Sequence, residues 1–158
     1  MSEAGVLPEP LRGRSLVHVD AGVFALHAVS WPPALAVTRP LFAALEAEEL
    51  RAQTSALTLY QLVAEAYRRG DAATAERIER LLPGIPGLEV VPVSARIARQ
   101  AAQARAQLGG GTERAIQLAT ALSRGADLFL TRRSALRRVA GLAIESLEAI
   151  RPEGDGGS

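Results

Sequence analysis

The stretch Leu16-Val17-His18-Val19-Asp20 runs straight into Ala21-Gly22-Val23-Phe24. A short, mostly apolar run ends on an acid, and an apolar pattern of helical spacing begins without an intervening loop. This is how a buried strand feeds a helix, and open α/β sheets place their chemistry at the carboxyl ends of such strands. Asp20 is therefore the first candidate site residue.

Working outward, short apolar runs alternate with helical patterns, which argues for βαβ units around a parallel sheet. Strands are expected at residues 16–20, 54–57, 88–93 and 126–131, with an edge strand at 142–147. Helices are expected at about 21–29, 40–52, 58–69, 71–82, 94–108 and 112–124, with a short helical segment at 134–139. Trp31-Pro32-Pro33 ends the first helix, because proline cannot continue it and disfavours helical geometry in the residue before. Thr58, Asp71, Ser94 and Thr112 are placed to cap helices. Gly109-Gly110-Gly111 lacks the spacing of a phosphate-binding P-loop and reads as a loop before a cap. Residues 1–13 and 151–158, rich in Pro, Glu, Gly or Asp, are expected to be disordered. One α/β domain over 14–150 remains, with a central, mainly parallel sheet and helices on both faces.

At 158 residues the chain fits one domain with a substantial core. Its 18 basic residues are all arginine. Guanidinium binds phosphate bidentately, but the base composition of a GC-rich genome produces the same bias. A net charge of +1 creates no strong field for a polyanion. With no cysteine, disulfides and thiolate metal sites are excluded. No apolar run reaches the length of a membrane span, and the first residues lack a signal peptide's basic and apolar regions. The expected location is the cytoplasm.

Val19-Asp20, Thr54-Ser55-Ala56-Leu57-Thr58, residues 115–122 and Gly125-Ala126-Asp127-Leu128-Phe129-Leu130-Thr131 follow one another in telling order. Together, over residues 16–147, they resemble the PIN domain, the fold of VapC-like toxin ribonucleases and related nucleases. The resemblance implies an acid cluster that holds Mg²⁺ or Mn²⁺ to activate water for phosphodiester attack. Several acids are needed, because a hard, reluctantly dehydrated cation requires anionic oxygens in octahedral geometry. The resemblance also implies frequent homodimers and, for toxins, an antitoxin partner.

Matched position by position, this chain keeps only Asp20. The glutamate early in the helix after the second strand falls on Gln61. The aspartate opening the helix of residues 115–122 falls on Arg114. The aspartate two residues past Thr131 falls on Arg133, with Arg132 beside it, and a position that is often asparagine is Gly22. Unlike charges about 4 Å apart attract by roughly 4 kcal/mol at an effective dielectric near 20. An ion pair from Asp20 to Arg114 or Arg133 is therefore expected in place of a metal.

This reading makes the chain a degenerate member with no metal cofactor, acting by binding RNA or a protein. Arg132, Arg133 and Arg137 are its candidate phosphate contacts. The alternative is a Mg²⁺- or Mn²⁺-dependent endoribonuclease toxin in which Asp20 works with relocated acids, Glu65 and Glu113. One helical turn displaces a carboxylate by about 5.4 Å, which metal geometry tolerates poorly. A further alternative is a homodimeric assembly module. His18 and His27 are isolated and read as packing residues, and Asp127 as a turn or cap residue.

Overall fold

Alternation along the first strand explains how the chain closes around it. In the computed structural model, which describes residues 6–133 and 139–148, β1 (Val17–Val19) is buried throughout. It lies at the centre of one parallel sheet with β2 (Ala52–Ser55), β3 (Leu88–Val91), β4 (Leu128–Thr131) and β5 (Ala143–Ser146), in the order β3-β2-β1-β4-β5. Among the described residues, six α-helices join the strands: α1 (Ala21–Ala28), α2 (Pro32–Glu46), α3 (Ala56–Arg68), α4 (Ala72–Leu81), α5 (Ala95–Leu108) and α6 (Thr112–Ser123).

Successive strand residues point to opposite faces. Val17, Val19, Leu128 and Leu130 pack with Val23 and Leu26 of α1 and with Val37, Leu41 and Leu45 of α2. On the other face Phe129 packs with Leu118 and Ala121 of α6, and the His18 ring stacks on it at 5.0 Å. Val91 joins Ile97 and Ala101 of α5 with Ala115 and Ala119 of α6. Helices thus cover both faces, as the alternating pattern implies. Among the described residues, no single helix is long and apolar enough to cross a membrane.

The α6-facing side of the sheet is polar where His18 stands. The Gln53 amide nitrogen donates to His18 Nδ1 (3.0 Å) and to the Thr120 carbonyl (3.1 Å). Because an amide nitrogen only donates, His18 carries its proton on Nε2 and gives it to Gln117 Oε1 at 2.7 Å. Gln117 then donates to Thr58 (2.8 Å), whose hydroxyl lies 2.8 Å from that of Thr54, and Thr54 donates to the Val19 carbonyl at 2.6 Å. His27, on α1, bonds Thr38 at 2.8 Å and packs on Phe42. Asp127 accepts the N–H groups of Ser15 (2.9 Å) and Leu16 (3.1 Å), so it ties the turn before β4 to the entry of β1.

Several boundaries differ from expectation. The second helix begins at Pro32, not near 40, because proline at the first helical positions loses only a donor that has no partner there. Pro40 lies inside it. β2 begins at Ala52, and Ser55 rather than Thr58 caps α3 through the Leu57 N–H at 3.1 Å. Thr58 is drawn into the buried network instead. Gly111, not Thr112, is the cap position of α6. Within the expected tail, Glu9–Leu11 forms a 3-10 turn, because fully buried Leu11 anchors it in the first cluster. The helical segment expected at 134–139 and the tail at 151–158 lie outside the described residues, except for Val139, which bridges to Leu142.

Candidate functional site

The sheet grows outward from β1 to β2 and β3, then returns to β4 on the other side of β1. The strand order therefore reverses between β1 and β4, and ligands of open α/β sheets bind beside such a reversal, at the strands' carboxyl ends. Asp20 and Thr131 meet there. Val19 pairs with Leu130, and the Asp20 N–H donates to the Leu130 carbonyl at 3.1 Å. The Thr131 hydroxyl then reaches Asp20 Oδ2 at 2.5 Å.

Asp20 is also the N-cap of α1, where its Oδ1 accepts the Gly22 N–H at 3.1 Å. Both carboxylate oxygens are thus engaged. Burial pushes the carboxyl above its ordinary range; the Thr131 hydroxyl, the Val23 and Gly22 N–H groups and the charge of Arg114 oppose that shift.

The arginines behave differently from expectation. No ion pair joins Asp20 to an arginine among the described residues. Arg133 turns away to Glu148, just past β5, at 2.9 Å. Arg114 is half-buried in the first turn of α6 and acts on Asp20 only through its field. The influence of Arg114 has the expected sign, but the contact is not made, because Thr131 and the Gly22 N–H already satisfy the carboxylate. Arg132 is exposed and lies against Gly22: a methyl placed on that glycine would meet Arg132 Cβ at 2.8 Å. Arg137 lies outside the described residues.

The candidate relocated acids stand apart from this arrangement. Glu65 is exposed on α3 and holds Arg68 through both oxygens (2.6 and 2.8 Å), with Arg69 at 3.7 Å. Glu113 is exposed in the first turn of α6. Gln61 is half-buried on α3. Among the described residues, no three His, Cys, Asp or Glu side chains group as metal ligands. Sequence reasoning missed Thr131 as the direct partner of Asp20; the signal was a hydroxyl at a strand end in register with β1.

Solved structures share this fold. VapBC2 of Rickettsia felis, bound to a DNA fragment from its promoter, has a TM-score of 0.65 at 14% identity, covering 83% of this chain and 98% of that one. DNA-bound VapBC of Salmonella typhimurium has a TM-score of 0.58 at 23% identity, with 83% and 97% covered. VapC20 of Mycobacterium tuberculosis, a sarcin-ricin loop cleaving toxin, has a TM-score of 0.57 at 16% identity, with 72% and 86% covered. No curated protein matches the chain. The PIN domain family pattern matches residues 18–142, from β1 to the entry of β5. With its sheet order, strand-end acid and family pattern in agreement, the chain belongs to the PIN domain family.

Proposed function

We propose that this protein is a degenerate PIN-domain protein that does not run the metal-dependent nuclease reaction and acts by binding. The observation that carries this reading is the state of Asp20. Its two oxygens accept hydrogen bonds from Gly22 and Thr131, and the charge of Arg114 acts on it as well. Mg²⁺ or Mn²⁺ requires several anionic oxygens and an arrangement free to dehydrate it. One carboxylate already engaged by two donors and set in the field of Arg114 does not fit that requirement. Glu65 and Glu113 do not repair it, since the first is held by Arg68 and Arg69 and the second faces solvent.

The binding partner this reading favours is an antitoxin-like protein. Folds similar to this one have been solved as toxin–antitoxin complexes, some of them bound to DNA. RNA is the second partner class, with Arg132, Arg133 and Arg137 as the phosphate contacts and the homodimer as the assembly that presents them. The cytoplasm is the compartment this reading assigns, because both partner classes occur there.

The experiment compares RNA cleavage by the wild type and Asp20→Asn in Mg²⁺ and in Mn²⁺. Equal, background-level rates are expected. Metal-stimulated cleavage that disappears in Asp20→Asn would restore the nuclease reading.

A further inference from the structure

Gly22 occupies the first turn of α1, and its backbone is not in the left-handed region. Nothing about its conformation therefore requires glycine. An alanine in an ordinary helical position favours folding over glycine by about fourfold to fivefold. What distinguishes this glycine is the chain that lies against it. A Cβ at position 22 would meet Arg132 Cβ at 2.8 Å, Asp20 Oδ1 at 3.4 Å and Arg132 Cδ at 3.7 Å. Carbon atoms pack at about 3.5–4.0 Å. The closest approach is to a Cβ, which moves only with its backbone, so no change of rotamer relieves it.

Arg132 directly follows Thr131, whose hydroxyl holds Asp20. We propose that Gly22 and Arg132 form a steric latch. The missing side chain at 22 lets the segment leaving β4 settle on the first turn of α1, and this seats both the Thr131 hydroxyl and the stem of Arg132 beside Asp20. Gly22 is then a positioning residue for the strand-end site. The asparagine that the PIN resemblance expects at this position is incompatible with Arg132 as placed. The latch goes beyond the proposed function and does not depend on it, since it would close the site of an active or an inactive protein alike.

The test is a double-mutant cycle on the full chain, read by urea unfolding and by hydrogen exchange of the Asp20 N–H. Overpacking of this kind costs enough that Gly22→Ala is expected to shift the unfolding equilibrium about tenfold toward the unfolded state. In an Arg132→Gly background, which removes the Cβ, the same change is expected to become neutral or favourable. In Arg132→Ala, which keeps the Cβ, the cost should persist. The Asp20 N–H, bonded to Leu130 across the strand ends, is expected to exchange faster in Gly22→Ala than the global change accounts for. If Gly22→Ala alone fails to fold, recovery in the double variant with Arg132→Gly supports the latch. A neutral or stabilising Gly22→Ala, an equal cost in Arg132→Gly, or a double variant that also fails to fold would overturn it.

Discussion

His18 and Asp20 stand two residues apart on one stretch of chain, and burial drives both toward their uncharged forms. The outcomes differ because their partners differ. Both ring nitrogens of His18 are bonded to glutamines in a closed interior, and burial lowers its pKa to about 4 against the opposing Gln117 bond. Asp20 faces the open end of the sheet, and its partners come from the first turn of α1 and the segment leaving β4. The first residue is sealed by helix packing. The second is held by a hydroxyl, a turn amide and a nearby glycine, a set that small changes can release. Polarity inside this fold is structural at one position and adjustable at the other.

The largest effect that would break this contrast is at His18. His18→Leu leaves the Gln117 oxygen and a Gln53 donor without partners in the core, and about 3 kcal/mol of stability is expected to be lost in urea unfolding. A tolerated leucine would mean that the network is not what seals the interior.

Acid sharpens the comparison next, because the two groups act with opposite signs. The unfolded-state His18 binds a proton near its ordinary value of 6.5, whereas the native residue does so only near 4. Its contribution is complete above pH 6.5 and is lost as pH falls toward 4, by about 3 kcal/mol. Asp20, raised above its ordinary 3.8, works the other way. Its contribution is complete below that value and is lost as pH rises through the native pKa. Between pH 4 and 6.5 the His18 contribution to the urea midpoint should rise with pH, and His18→Gln should remove that part of the pH dependence.

A smaller change is expected at Thr131. Thr131→Val removes the hydroxyl that donates to Asp20, costs about 1–2 kcal/mol and raises the Asp20 pKa further, as carboxyl carbon NMR would record. An unmoved titration would show that Thr131 does not hold the acid. Smallest of all is Arg114→Gln. Arg114 is the weakest of the influences lowering the Asp20 pKa, so a slight upward shift with no measurable loss of stability is expected. A large shift would mean that the ion pair absent here forms in solution.

Much of this architecture was legible in the sequence, and the misses have a common cause. The apolar run of β1, the caps at Asp71 and Ser94 and the strand after Gly125 follow local rules, and each stands where those rules put it. β2 starts two residues before the expected strand, because Ala52 and Gln53 pair with β1 and β3 and Gln53 is polar yet fully buried. Gln53 looks like a loop residue until its partners on β1 and α6 are in view. The Ser55 cap was missed for a related reason, since Thr58 served the interior instead of the helix end. At the site, Asp20 was readable from its place after a strand, and Arg114 from its family position. The bond from Thr131 and the contact of Gly22 with Arg132 were not, since each joins residues about a hundred positions apart.

Read alone, the chain determines a parallel α/β sheet, an acid at the end of its first strand and guanidinium where PIN relatives are expected to carry acids. Those features depend on residue type and local spacing, which the order of amino acids states directly. Only the folded protein decided which group holds Asp20: a hydroxyl and a turn amide, not an arginine. That choice depends on how segments remote in the chain pack against one another, which the local pattern does not state.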